Sequence, residues 1–178
     1  IASYFTYYVV RPEGRRNYGE LIQPQKDMPV AVAQSLQGQP TQLQSLKGQW
    51  LLVTVSSGAC AEPCQQNLYF QRQLREILGR EKDRLDRVWL ITDDAKVPDN
   101  LLPALSMAHV LRLDLAIIQS WITPAAGQQL QDHLYVIDPM GNFMMRFPAN
   151  MDVASASKAK RDLERLLKAS SSWDQAGR

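Results

Sequence analysis

The sequence predicts one α/β domain whose central mixed sheet has parallel strands plus a C-terminal antiparallel hairpin, flanked by helices. Three observations carry this. The runs Trp50–Val55, "RVWLITDD" and "HVLRLD" are apolar with little alternation, which is the habit of strands covered on both faces. Between the first two runs, Leu68, Leu74, Ile77 and Leu78 recur at helical spacing, so the strands are joined by right-handed crossovers. Finally, "DHLYVIDPMGNFMMRF" sets two strand-like runs on either side of the turn cluster Asp138-Pro139-Met140-Gly141-Asn142.

Taken in order, residues 1–10 are apolar and aromatic. They are too short to span a bilayer, which needs roughly 20 apolar residues, but Tyr4, Phe5, Tyr7 and Tyr8 suit its interfacial belt. They are expected to be the end of a membrane anchor; the alternative is a terminal strand or helix docked on the domain. Residues 11–35, with Pro12, Gly14, Gly19, Pro24 and Pro29, are expected to be a linker wrapping the domain. The domain itself is placed at 36–168. It opens on a hairpin-like lead with turns at Gly38-Gln39-Pro40 and Lys47-Gly48, before the first buried strand.

A helix follows, with Pro63 in its first turn, Arg72, Arg75 and Glu76 towards water, and Gly79 as a stop. After the second and third strands, Asp114 caps a short helix in "LAIIQSWIT". The last helix starts near Asp152 and buries Ala156, Ala159, Leu163, Leu166 and Leu167, leaving 169–178 as a frayed tail.

With 178 residues and 45% hydrophobic content, the chain has material for one well-buried core. Its 20 basic and 18 acidic residues are spread along the sequence, so it carries no electrostatic footprint for a nucleic acid. No phosphate loop, paired catalytic carboxylates or Ser-His-Asp order is present.

The chemistry lies in "SSGACAEPCQQ", which holds the only two cysteines, Cys60 and Cys64, between the first strand and its helix. Unsatisfied amides at the helix start favour thiolate, the form that attacks disulfides and binds metals. Positions four apart inside a helix have Cβ atoms about 5–6 Å apart, whereas a disulfide needs roughly 3.5–4.5 Å. A bridge therefore requires Cys60 to lie outside the helix. The same loop could open so that both sulfurs hold a soft cation such as Cu(I), and two inert buried thiols are the third reading. Zinc is disfavoured, because no second Cys or His pair stands at ligand spacing.

The stretches "LKGQWLLVTVSSGACAEPCQQNL", "VWLITDD" and "YVIDPMGNF", followed by a terminal helix, resemble the Sco/SenC family of membrane-anchored, thioredoxin-like proteins that assist cytochrome oxidase assembly. The resemblance covers roughly residues 36–168 and makes this a divergent member. It implies a thioredoxin-like fold, cysteines that cycle through a disulfide, and copper held by Cys60, Cys64 and a histidine. This chain has Gly58, Ala59 and Gln65 where the family carries other residues around its cysteines, and Leu130 at the register of the family's histidine.

Of the two histidines, His109 opens a parallel strand and belongs away from the cysteines. His133 opens an antiparallel strand that returns to their end of the sheet, so it is the candidate third ligand. Met140, Met144, Met145 and Met151 read as packing, with strand alternation sending Met144 and Met145 to opposite faces. Asp93 and Asp94 read as a cap or turn.

The expected function is thiol-disulfide exchange, with Cys60 attacking and Cys64 resolving, and/or copper delivery during cytochrome c oxidase assembly. The alternative is a non-catalytic interaction domain with a structural disulfide. Expected partners are the membrane anchor and an oxidase subunit or another thiol protein. The setting expected is an inner-membrane anchor with the soluble domain in the periplasm.

Overall fold

The computed structural model describes residues 17–172. The expected anchor end at 1–10 and residues 173–178 lie outside them. Eleven elements form: β1 (Glu20–Lys26), β2 (Val32–Ser35), β3 (Pro40–Gln42), β4 (Trp50–Ser56), α1 (Glu62–Ile77), β5 (Leu85–Ile91), β6 (His109–Arg112), α2 (Leu115–Gln119), β7 (Leu134–Ile137), β8 (Phe143–Arg146) and α3 (Val153–Ala169). Short 3-10 turns fill the connections. One sheet takes all eight strands in the order β1-β8-β7-β4-β5-β6-β2-β3. Strands β4, β5 and β6 run parallel, and β7 and β8 form the antiparallel hairpin beside β4.

The central strand β4 is buried throughout because each face meets its own apolar layer. Trp50 and Leu52 join Phe70 and Leu74 of α1 and Leu163 and Leu166 of α3. Leu51, Val53 and Val55 join Ile118, Trp121 and Ile122 on the other side. Gln71, buried on α1, donates through Nε2 to the carbonyls of Leu52 at 2.7 Å and Val88 at 2.9 Å, fixing the helix over the β4–β5 seam. Of the residues expected on the core face, Leu78 is buried at 7% exposure, whereas Ile77 is 44% exposed.

The segment 20–35 departs from its expected role as linker. Strand β1 pairs with β8, and β2 pairs with both β3 and β6, so both flanks of the sheet draw on it. Its side chains are mostly exposed or half-buried, with only Ala33 fully buried within the two strands. Backbone pairing rather than an apolar face holds these strands, so periodicity carries no sign of them.

A second departure concerns the methionines. Register shifts in the β7–β8 ladder between the pairs Val136–Met145 and Ile137–Phe143, so one extra residue is accommodated on β8. Met144 and Met145 consequently enter the same core layer, together with Met151. All three are packing residues, and Met140 is exposed at the hairpin tip.

Helix α3 starts where expected: Asp152 accepts from the Ser155 amide at 2.8 Å, while the Ser155 hydroxyl accepts from the Asp152 amide at 2.8 Å. Such a reciprocal cap contributes about 1 kcal/mol. The chain beyond α3 is not frayed at its first residue. Ser170 is fully buried, and its hydroxyl accepts from Trp50 Nε1 and from Arg84 Nη2, each at 3.1 Å. Among the described residues no helix is long and apolar enough to cross a membrane.

Candidate redox site

Strand β4 ends at Ser56, and a short loop leads to Ala61, the residue that precedes α1. Within it the Ser57 carbonyl accepts from the Cys60 amide at 3.1 Å and the Ser57 hydroxyl accepts from the Ala59 amide at 3.2 Å. This tight turn sets Cys60 at φ 53°, a left-handed conformation that costs a non-glycine residue about 1 kcal/mol. Cys60 therefore lies outside the helix while Cys64 lies in its first turn. The two are joined by a disulfide, with Cα atoms 5.0 Å apart.

Pro63 occupies the start of α1, and no side chain caps the helix. The first-turn amides are thus left without a side-chain cap at the helix start that carries Cys64, the placement that favours thiolate. Gln65 donates through Nε2 to the Cys60 carbonyl at 3.1 Å, tying the loop to the helix.

Both cysteines are buried, Cys60 at 1% and Cys64 at 0% exposure. Both members of the bridged pair are therefore covered. The pair sits in an apolar cluster with Leu68, Trp89, Ile91, Val97 and Leu105, edged by Leu36, Leu101 and Ala108. The long β5–β6 connection supplies Val97, Leu101, Leu105 and Ala108, so it packs against the disulfide.

That connection is pinned to the cysteine loop by a residue whose role the sequence did not reveal. Asp93 accepts from the Gly58 amide at 3.0 Å and from the Ala95 amide at 3.1 Å, and its own carbonyl accepts from Arg112 Nη1 at 2.7 Å. Bonding to Ser57 and then to Gly58 holds its carboxyl below the usual carboxylate range. A side chain at Gly58 would meet the Ala95 carbonyl oxygen at 2.5 Å, so the two loops approach as closely as a glycine allows. The turn expected of Asp93 is present, but its carboxylate also spans two loops. The available signal was topological: Asp93 follows β5, which lies parallel to β4, so both loops leave the same end of the sheet.

His133 is engaged by the backbone around it. It is 2% exposed, and both ring nitrogens have backbone partners: Nδ1 donates to the Phe147 carbonyl at 2.8 Å and Nε2 accepts from the Ala125 amide at 3.2 Å. This assigns the neutral Nδ1–H tautomer. Burial pushes the imidazole below its ordinary pKa, consistent with that state. His109 bonds through Nε2 to Asp86 at 3.0 Å, and Leu130 accepts the Tyr135 hydroxyl on its carbonyl at 2.7 Å. Among the described residues, no three His, Cys, Asp or Glu side chains are grouped to hold a metal ion. The arrangement can exchange electrons through two sulfurs, and His133 serves as a buried hydrogen-bonding strut.

Solved structures with this fold include several Sco proteins. A SCO1/SenC family lipoprotein from Bacillus anthracis is 18% identical with TM-score 0.60, over 82% of this chain and 98% of that one. ScoI from Bradyrhizobium japonicum, solved with copper bound, is 19% identical with TM-score 0.56, over 78% and 98%. BsSco, described as a member of the Sco family of cytochrome c oxidase assembly proteins with a disulfide switch, is 15% identical with TM-score 0.59, over 83% and 95%. The expected thioredoxin-like fold is thereby shown, and the divergent Sco/SenC likeness holds at the level of fold. No curated protein sequence matches the chain. Residues 50–170, from the first core strand through the last helix, match the family model described as "Transmembrane-like, thioredoxin-like, C-terminal domain", and the chain belongs to that family.

Proposed function

We propose that this chain is a Sco-like, membrane-anchored, extracytoplasmic protein that exchanges its Cys60–Cys64 pair with a partner thiol protein during cytochrome c oxidase assembly. The observation that carries the proposal is the disulfide between a strand end and an uncapped helix start. The disulfide switch and assembly role named for BsSco support it, as does the preference of close cysteine pairs for oxidising compartments.

In the reduced chain, the Cys60 thiolate attacks one sulfur of the partner's disulfide, and the partner's other sulfur leaves as a thiolate. Cys64 then attacks the mixed disulfide, releasing the partner as a dithiol and leaving the Cys60–Cys64 bridge. Two electrons and two protons pass to the partner, and a dithiol donor protein returns the chain to its reduced form. The test is alkylation and mass analysis. Native protein treated with a dithiol should expose both cysteines, and glutathione disulfide should re-form the bridge. If the bridge opens only when the domain unfolds, the alternative of a structural disulfide in an interaction domain replaces this reading, and the burial of both sulfurs is the observation that favours it.

Copper delivery, the other function the resemblance implies, finds no group of three His, Cys, Asp or Glu side chains among the described residues. The sulfurs are bonded to each other, and His133 has committed both ring nitrogens to the backbone. The proposed activity therefore uses the sulfur pair alone. Titration of the reduced chain with Cu(I) checks this: His133→Asn and the parent should bind equally, and a loss of affinity confined to the variant would restore the histidine as a ligand.

A further inference from the structure

On α3, Lys158, Arg161 and Arg165 follow one another at spacings of three and four, which places them along one stripe of the helix. With Asn17, Tyr18 and Asp162 they line an open groove of about 440 Å³. Asp162 is 1% exposed, and its carboxylate is already used: it accepts from the Gly19 amide at 2.7 Å and from Arg165 Nη2 at 2.6 Å. That pair neutralises itself. Lys158 and Arg161 are exposed, and among the described residues neither has an ion-pair partner, whereas neighbouring Lys160 pairs with Glu164 at 3.7 Å. The groove thus presents two uncommitted cations above a neutral floor.

The first described residues lie at this same place. Asn17 and Tyr18 wall the groove, with the Tyr18 ring stacked on Phe147 at 5.8 Å. In the sequence, the sixteen residues ahead of Asn17 comprise the apolar and aromatic run 1–10 and a basic stretch with Arg11, Arg15 and Arg16. Cations beside Asn17 and Tyr18, the residues that follow an apolar, aromatic, Arg-containing stretch in sequence, match a bilayer surface in both charge and hydrophobicity.

We propose that this groove docks on the anionic phospholipid headgroups of a bilayer, with Lys158 and Arg161 contacting lipid phosphates. The ammonium and guanidinium groups are phosphate binders, and their exposure on a helix stripe suits a flat array of headgroups better than one enclosed small anion. This rests in part on the membrane-surface reading of the N-terminal residues, and the test separates the two.

The full chain is partitioned onto vesicles of phosphatidylcholine alone and of phosphatidylcholine with phosphatidylglycerol. Binding to neutral vesicles reports the apolar residues, and the part of the anionic excess that K158Q/R161Q removes reports the groove, the remainder belonging to Arg11, Arg15 and Arg16. At roughly fivefold per basic residue near an anionic surface, K158Q/R161Q should reduce that excess about thirtyfold and leave neutral binding unchanged. Added salt should weaken the excess in the parent. The variant should melt like the parent, since neither side chain has an ion-pair partner among the described residues to lose. An anionic excess that K158Q/R161Q leaves undiminished overturns the proposal, as does an absence of any excess in the parent. Displacement of the parent from anionic vesicles by millimolar inorganic phosphate, beyond the effect of sodium chloride at equal ionic strength, would assign the groove to a free anion and also overturn it.

Discussion

The carboxylate of Asp93 accepts the backbone N–H of Gly58 at 3.0 Å, joining the loop that carries Cys60 to the loop that follows β5. Removing it should loosen the cysteine turn. Asp93→Ala should lose about 1–2 kcal/mol of stability in urea unfolding, on the scale of a charge-assisted hydrogen bond at an exposed position, and should speed reduction of the disulfide severalfold. Asp93→Asn, which keeps an acceptor for the Gly58 and Ala95 amides, should lose less. Because the Asp93 carboxyl lies below its usual pKa, its contribution is present above about pH 4 and fades as pH falls through the folded value. Equal reduction rates in all three proteins would remove Asp93 from any role at the cysteines.

Gly58 has an independent reason to be a glycine. A Cβ there meets the Ala95 carbonyl, a backbone atom that can move only with its loop. Gly58→Ala should cost about 1–3 kcal/mol, the usual penalty of overpacking, and should disturb the Asp93 bond. A double-mutant cycle with Asp93→Ala should give less than additive losses, since both changes open the same contact. Simple additivity would show that the two act separately.

The disulfide is covered, so its reduction should be gated by the β5–β6 connection. Val97 and Leu105 are 5% and 7% exposed and pack in the same cluster as both sulfurs. Leu105→Ala should lose about 2–3 kcal/mol and raise the rate of reduction by a dithiol well above the parent's. Leu163→Ala, on α3 in the separate core layer, serves as a control of similar stability cost. If both variants accelerate reduction equally, global unfolding rather than local opening admits the reductant.

The sequence made the centre of this fold legible and left its margins dark. Strands β4 and β5 and the hairpin are buried on both faces, so their apolar runs record their place. Strands β1 and β2 bury little side chain and are held by backbone pairing, which composition does not encode. The bulge that brings Met144 and Met145 into one layer is a matter of register, again invisible to a period of two. At the site, Cys60 and Cys64 were identifiable from spacing and topology. Their burial was not, because it depends on Val97, Leu101 and Leu105 returning from a connection with no strong period. His133 was placed at the correct end of β7, but its commitment to Phe147 and Ala125 depends on loops distant in sequence.

His133 and Asp138 should pull the stability of the domain in opposite directions with pH. Burial lowers the His133 pKa below 6.5, so the folded state resists protonation; its contribution is full above pH 6.5 and is lost as pH falls below that value. Asp138 is fully buried, and desolvation pushes its carboxyl up to about 6 despite bonds from the amides of Met140 and Asn142. Between the ordinary 3.8 and about 6 the folded state holds a proton that the unfolded chain has released. Stability from Asp138 therefore falls as pH rises across that window, and rises on acidification. The parent should show partial cancellation between about pH 4 and 6. Asp138→Asn removes the compensating term, so its stability should drop more steeply than the parent's on acidification through that range. His133→Asn should do the reverse and fall less steeply. Urea midpoints measured across pH 4 to 8 for the three proteins decide it, and parallel curves would show that neither group changes its proton affinity on folding.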